Sequence, residues 1–345
     1  MKIGILTHPQ YFNYGGILQC YALCNYLKKL GHDTIVIRRG LDTPLGKQII
    51  KDLMIKLCIK KILNPKEFDK AAKIRPFAEH KLNRTRLIFS QNLMKKICKQ
   101  YRLNAVIVGS DQVWRADFAL NYGYNYFLDF VPKNVRKLSY AASFGLSSWN
   151  YSIEQTARIK ELLSDYKGVS VREDEAVDLC KKHLGIDVKQ MPDPTMLLTA
   201  SEYDTIASPR LIDKKYIFVY WLGNKETAET YILDFEAKGY KVIYVGLREQ
   251  RIFPSVEDWL SYIKYADVVL TDSFHGCVFS ILYHRPLKVC ENTSGGYGRI
   301  KSLFQSVGVT NEDVLSLTGD CYTLIDNRLN SMREKAKVFI NNSLS

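Results

Sequence analysis

Ala266-Asp267-Val268-Val269-Leu270-Thr271-Asp272-Ser273-Phe274-His275-Gly276-Cys277-Val278-Phe279-Ser280-Ile281-Leu282-Tyr283-His284-Arg285-Pro286 decides the fold. The apolar run Val268, Val269 and Leu270 reads as a buried parallel strand. Thr271, Asp272, Ser273, His275 and Gly276 read as a polar turn, and Val278, Ile281 and Leu282 recur at helical spacing. Strand, tight turn and helix therefore follow one another. The turn places His275 and Gly276 at a helix N-terminus, where unpaired backbone N–H groups and the helix dipole favour a phosphate or carboxylate. Serine or aspartate in such a turn serves equally as a plain N-cap, and the histidine as a capping or packing residue. Local physics leaves both readings open.

The same alternation extends outward in the second half. Tyr216 to Trp221 reads as a strand, Glu226 to Lys238 as a helix stopped near Gly239, Lys241 to Val245 as a strand and Val256 to Tyr265 as a helix. Leu287 to Cys290 adds a short strand. The loop from Asn292 to Gly298 reads as a segment that orders on binding, with Arg299 beyond it as a phosphate contact. Leu329, Met332, Ala336 and Phe339 form a packing stripe on a last helix.

The first half opens as a βαβ unit. Ile3 to Leu6 is a strand, Cys20, Leu23, Leu27 and Leu30 share one helix face ending at Gly31, and Thr34 to Ile37 is a second strand. No Gly-x-Gly-x-x-Gly is present, so a dinucleotide site is not supported. Asn13-Tyr14-Gly15-Gly16 either lets backbone approach a ligand or only shapes the turn. Ala105 to Val108 is a buried strand leaving through Gly109-Ser110-Asp111-Gln112-Val113-Trp114, and ligands of open α/β sheets gather at such carboxyl ends. Asp111 suits a proton acceptor and Trp114 a face on which a sugar stacks, or Asp111 is a cap and Trp114 core. Leu138 to Gly145 is a further strand with a small-residue exit, and residues 153–166 read as a helix. Val169 to Glu173 ends in Arg172, whose fork suits carboxylate or phosphate unless it pairs with Glu173, Asp174 or Glu175 on the surface. Met191-Pro192-Asp193-Pro194-Thr195 reads as the link between domains 1–192 and 193–345.

A chain of 345 residues accommodates two α/β domains, and 46% hydrophobic with 25% charged residues is a soluble globular composition. The start lacks a secretory pattern, and no apolar stretch is long enough to span a bilayer. Eight scattered cysteines without a Cys-x-x-Cys pair read as reduced thiols, so a cytoplasmic location is expected. The net charge of +13 is concentrated: residues 47–102 hold sixteen Lys or Arg against four acids, a net of +12. This is a solvated basic surface or an attractor for an anionic phospholipid surface or a lipid-diphosphate-linked sugar. No nucleic-acid-binding motif is present, and nucleic acid is not an expected partner. On a helical wheel the lysines of 48–63 do not gather on one face, which favours a partly buried or partner-covered helix over one lying on a membrane.

Thr271-Asp272-Ser273-Phe274-His275-Gly276 resembles the Thr-x-Arg/Ser-x-His-Gly signature of the polysaccharide pyruvyl transferase family. Gly109 to Trp114 resembles that family's Gly-Ser-Asp-Gln-Val-Trp motif, Asn13 to Gly16 its Asn-x-Gly segment, and Val171-Arg172-Glu173 its Val-Arg-Glu segment. The likeness spans most of the chain. It implies an α/β fold of two Rossmann-like domains facing a cleft, GT-B-like, with the last helix crossing back. It implies an enzyme that transfers pyruvate from phosphoenolpyruvate to two hydroxyls of a sugar as a cyclic ketal, in capsule, exopolysaccharide or cell-surface glycan synthesis. Phosphoenolpyruvate is then a co-substrate, and neither metal nor cofactor is expected. His275, Arg172 and Asp111 are the expected catalytic residues, and Ser273, Gly276 and Arg299 the donor contacts. Asn13, Tyr14, Gly15, Gly16, Ser110, Gln112 and Trp114 are the expected acceptor contacts. The expected acceptor is a lipid-diphosphate-linked saccharide met at the inner membrane face. One departure stands out: many relatives carry Arg where this chain has Ser273, so Arg299 or Arg285 would have to supply the charge. The rival readings are a GT-B glycosyltransferase using a nucleotide sugar and a non-catalytic saccharide-binding protein.

Overall fold

The computed structural model describes residues 1–9, 13–41, 65–223, 225–245, 252–289, 297–309 and 319–345. The expected helix over 48–63 and the loop residues 292–296 lie outside them. Two compact units are present, Met1–Pro194 with Lys335–Ser345, and Thr195–Glu334.

In unit 1, β1 (Lys2–Leu6) leads into α1 (Tyr14–Lys29) and β2 (Asp33–Ile37). Helix α1 ends as its sequence dictates. Gly31 takes a positive φ of 84°, its N–H bonds Lys28 O, and the N–H of His32 bonds Leu27 O. Those two bonds satisfy carbonyls that the helix end leaves open. Then come α2 (Pro65–Lys81), β3 (Ala105–Val108) and β4 (Arg136–Ser139). Next are α3 (Ile153–Leu163), opened by a capping box at Ser152, β5 (Ser170–Val171) and β6 (Lys189–Gln190). Four strands pair in the order β2-β1-β3-β4, all parallel. Parallel bridges Leu138–Gly168 and Ala142–Val171 continue the sheet to the β5-β6 pair. Every residue of β3 is buried, as an inner parallel strand covered on both faces requires. The order reverses between β1 and β3, because the chain leaves β1 for one side and returns on the other. Carboxyl ends at such a reversal form the crevice where α/β sheets bind ligands.

In unit 2, β7 (Tyr216–Tyr220), α4 (Lys225–Ala237), β8 (Lys241–Val245), α5 (Val256–Lys264) and β9 (Val268–Thr271) follow in turn. After them come α6 (Phe274–Leu282), β10 (Leu287–Val289), α7 (Tyr297–Val307) and α8 (Gly319–Leu344). The parallel order β10-β9-β7-β8 repeats the topology of unit 1, with its reversal between β7 and β9. Trp259 of α5, Phe279 of α6 and Phe218 of β7 are fully buried, the Trp259 ring edge-on to each of the other two. The described part of α8 in unit 2 buries Ile325 and Leu329, whereas Ala336, Ile340 and Leu344 lie in the stretch that belongs to unit 1. Among the described residues no helix is long and apolar enough to cross a membrane.

Candidate functional site

Unit 1 brings several of the expected residues together at its β1/β3 reversal. Asn13 caps α1, its side chain accepting the Gly16 N–H at 3.3 Å. A Cβ built on Gly16 would stand 3.6 Å from Asp111 Oδ2, so the first turn of α1 lies against this carboxylate. Asp111 has a positive φ of 70°, which folds its side chain back to accept its neighbour Gln112 N–H at 2.9 Å. Gly109 is required where it stands: its φ is 121°, and a Cβ would meet Tyr140 O at 2.2 Å. Ser110 is fully buried. Its N–H donates to Gln19 Oε1 at 3.0 Å, and its hydroxyl lies 2.7 Å from Ala141 O and 3.2 Å from Asp193 Oδ2. Gln19 in turn donates to Thr7 Oγ1 at 2.9 Å, tying the exits of β1 and β3 to α1.

Arg172 lies at the end of β5 in the same unit, but not as an anion receptor open to solvent. Its side chain is 3% exposed, with Nε 2.8 Å from Glu173 Oε1, a terminal nitrogen 2.9 Å from Asp193 Oδ2 and the same nitrogen 4.0 Å from Asp111 Oδ1. Burial opposes its charge, yet Glu173, Asp193 and Asp111 more than offset that cost and hold the guanidinium charged. Glu173 and Asp193 thus hold two nitrogens of the fork expected to bind donor phosphate, with Asp111 at 4.0 Å. Pairing with Glu173 does occur, but inside the unit rather than on its surface.

Two of the expected acceptor contacts are fully buried. Trp114 is fully buried, its ring stacked on Phe127 at 5.6 Å and its indole N–H donating to Tyr126 O at 2.9 Å, so it offers no face to a sugar. Tyr14 is also fully buried inside α1, with Lys70 Nζ 5.8 Å from its ring centroid. Gly15 and Gly16 are buried in the same turn, and Gln112 is half-buried with its amide oxygen 3.3 Å from an Arg115 nitrogen. An aromatic ring that unit 1 exposes past β3 is Phe118, 42% accessible, under the Arg115 guanidinium at 4.9 Å and edge-on to His8 at 5.7 Å. Nothing in its spacing marked Phe118. Asp193 was legible only as part of a proline-rich link.

Unit 2 carries Ser273, His275 and Gly276 at its β7/β9 reversal. Ser273 caps α6 by accepting the Gly276 N–H at 3.5 Å, and its own N–H donates to Thr271 Oγ1 at 3.1 Å. Asp272, which precedes the cap, accepts Leu222 N–H at 2.8 Å and Gly223 N–H at 2.6 Å, fixing the exit of β7. His275 lies in the first turn of α6, 6% exposed and edge-on to Phe274 at 5.2 Å. A Cβ on Gly276 would meet Thr271 Oγ1 at 2.5 Å, so this glycine lets helix and strand close on one another. Arg299 stands in the first turn of α7. Arg285 cannot take over the charge missing at Ser273: it lies beyond the far end of α6, about 13 Å along the axis, and its Nε donates to Tyr283 O.

Two parallel Rossmann-like units in tandem place the chain in the GT-B-like class of α/β folds. Solved structures agree. A glycosyltransferase from Rickettsia africae is 12% identical with a TM-score of 0.53, over 99% of this chain and 98% of that one. The UDP-GlcNAc 2-epimerase of Methanocaldococcus jannaschii is 14% identical with a TM-score of 0.52, over 96% and 93%. A UDP-N-acetylglucosamine 2-epimerase from Rickettsia bellii is 9% identical with a TM-score of 0.50, over 97% of each chain. At such identities the likeness speaks for the fold alone. Among curated proteins no match is found. The polysaccharide pyruvyl transferase family model matches residues 13–294, and the chain belongs to that family.

Proposed function

We propose that the protein transfers the pyruvyl group of phosphoenolpyruvate to two hydroxyls of a saccharide as a cyclic ketal. The observation that carries this reading is the family match over residues 13–294, which takes in the strand exits of each unit. Unit 1 carries a carboxylate, Asp111, at its β1/β3 reversal, and unit 2 carries an imidazole, His275, at a helix N-terminus. Both lie within the segment matched by the family model.

The reaction calls for a base toward the sugar and an acid toward the departing phosphate. A proton adds to the methylene carbon of phosphoenolpyruvate, giving the methyl group and an oxocarbenium-like centre. The first sugar hydroxyl adds there and loses its proton, for which Asp111 is the base. The C–O bond to phosphate then breaks, the second hydroxyl closes the ring, and its proton leaves on hydrogen phosphate. The donor's negative charge sits at the α6 N-terminus with His275, which donates a hydrogen bond or proton to the departing phosphate, and Arg299 adds charge from α7. Phe118 replaces Trp114 as the ring on which the sugar rests, with Arg115 and His8 beside it. A lipid-diphosphate-linked acceptor at the inner face of the membrane fits the basic composition.

Calorimetry with phosphoenolpyruvate and with UDP, on wild type and His275→Ala, tests the reading. Phosphoenolpyruvate should bind in the micromolar to millimolar range and the variant should lose that binding. Phosphate release in a saccharide screen should fall by most of its rate in His275→Ala. Binding of UDP without phosphoenolpyruvate would replace this reading by nucleotide-sugar transfer.

A further inference from the structure

At the amino end of β4 in unit 1 lies a cavity of about 530 Å3. Arg136 opens β4 and pairs in register with Ala105, the first residue of β3, whereas Asp111 follows the other end of β3. One wall is the entry to β4, residues 133–137, and the other is the turn after α3, residues 164–167. Backbone ties the two walls together. The Lys167 N–H donates to Lys137 O at 2.8 Å, and the Ser139 N–H to Gly168 O at 3.0 Å. This joining gathers four lining cations, Lys133, Arg136, Lys137 and Lys167, against one lining carboxylate, Asp165. The Lys137 ammonium lies 3.4 Å from Asp165, but that carboxylate is 48% exposed and water screens the pair. Arg136 is half-buried and donates from one terminal nitrogen to Ser345 O at 3.0 Å, and a guanidinium carries further donors. Lys133 and Lys167 are exposed and enter no ion pair among the described residues. The Tyr166 phenol is kept protonated by burial and the Asp129 carboxylate, so it adds no negative charge to the lining.

We propose that this cavity binds a phosphoryl group, carried as a monoester or a diphosphate, apart from the transfer site. Cations gathered in one concavity repel one another, and a dianion relieves that repulsion more than a single carboxylate does. Arginine and lysine suit it together. The guanidinium fork takes two phosphoryl oxygens, and the ammonium groups act as point charges on the rest. The volume falls in the range of small-molecule sites, so it holds more than the phosphoryl group itself. Val135 and Tyr166 in the lining offer that remainder apolar surface. A merely solvated basic face would spread its lysines over open surface. Here the Lys137 side chain is 7% exposed, and the two walls are bonded to each other. The binding depends on no residue of either strand exit and stands without the pyruvyl-transfer reading.

The probes are inorganic pyrophosphate and inorganic phosphate, titrated into the full chain by calorimetry at low salt. Wild type should bind pyrophosphate with millimolar or tighter affinity, and more tightly than phosphate. Lys133→Ser combined with Lys167→Ser, both at exposed positions, should weaken pyrophosphate binding by about tenfold or more and leave the melting temperature unchanged. Lys181→Ser combined with Lys182→Ser removes the same charge from an exposed stretch outside the cavity and should bind like wild type. His275→Ala disables the donor site of the transfer reading, and pyrophosphate binding should persist in it. Loss of binding in His275→Ala alone would assign the heat to unit 2 and overturn the proposal. Equal affinity in wild type and the Lys133/Lys167 variant, or equal weakening in the Lys181/Lys182 variant, would overturn it too and leave a diffuse basic surface. So would the absence of binding to wild type. Co-sedimentation with phosphatidylcholine vesicles containing phosphatidic acid separates the sources of the phosphoryl group. Vesicle binding that the Lys133/Lys167 variant loses, and that pyrophosphate competes away, supports a lipid headgroup. Pyrophosphate binding without vesicle binding supports a small phosphorylated molecule. A wild type that binds pyrophosphate in this way yet releases no phosphate from phosphoenolpyruvate would sustain the site while refuting pyruvyl transfer.

Discussion

The two units repeat one sheet order, yet they fix their strand exits by opposite means. In unit 1 the exit of β3 is held by side chains that hold one another: Gln19, Ser110, Asp193, Arg172 and Glu173 form a buried chain ending beside Asp111. In unit 2 the exit of β9 is held by backbone. Asp272 takes two amide hydrogens of the loop after β7, and Gly276 lets α6 close on Thr271. Charge held by charge is sensitive to the loss of any member, because each remaining ion is left buried without compensation. A carboxylate held by amides keeps its fold through most substitutions in the helix beyond it. Unit 1 therefore couples its candidate chemistry to its stability, and unit 2 keeps the two apart.

The largest effect that separates these arrangements comes from Arg172→Ala against His275→Ala. The first leaves Glu173, Asp193 and Asp111 facing each other without a cation and should destabilise the protein by about 3–5 kcal/mol. The second removes an imidazole at a helix start and should leave the denaturant midpoint within about 1 kcal/mol of wild type while most turnover is lost. Urea unfolding of both variants decides the matter. Equal losses of stability would erase the distinction between the two exits.

The glycines give the next test. At Gly109 an added Cβ meets a backbone carbonyl at 2.2 Å, on a residue with φ of 121°. At Gly276 it meets the Thr271 side chain at 2.5 Å in an ordinary helical position. The Tyr140 backbone is tied to the end of β3 by its N–H bond to Val108 O and cannot move aside, whereas a helix can slide by a few tenths of an ångström. Gly109→Ala should cost about 3 kcal/mol or more and Gly276→Ala about 1–3 kcal/mol. The reverse order in thermal melts would place the rigid exit in unit 2.

Much of this was legible in the sequence. The strands Lys241–Val245 and Val268–Thr271, the helices α1, α5 and α6, the Gly31 stop and the α/β class follow from apolar periodicity and turn chemistry. The family's motifs were legible too, and the family model spans them. Partners were not. Arg172 and Asp193 stand 21 positions apart, and no local pattern says that a proline-flanked aspartate returns beneath a strand end. Trp114 shows the same gap: the sequence left it open between a sugar-stacking face and core, and only tertiary packing turns it inward onto Phe127. Phe118 carried no motif at all. Periodicity reports what lies beside what along the chain, and a site is built from what lies beside what across it.

The smallest effect lies in two buried thiols, one in each unit. Cys98 in unit 1 is pushed up to about 11 by burial, with Lys137 pulling weakly back. Cys277 in unit 2, in α6, is pushed further, by burial and then by the Asp272 carboxylate. For both, the folded protein favours the neutral thiol more than the unfolded chain does. Each therefore contributes stability that is fully present below the unfolded thiol range near 9 and is lost as pH rises through the folded value. Denaturant midpoints measured from pH 8 upward on wild type, Cys98→Ala and Cys277→Ala compare them directly. Between pH 9 and about 11 both variants should lose less stability with rising pH than wild type, and by similar amounts. Above about 11 the Cys98 variant should run parallel to wild type while the Cys277 variant continues to diverge. Parallel curves for both variants above that point would mean that burial and the Asp272 carboxylate together raise Cys277 no further than burial raises Cys98.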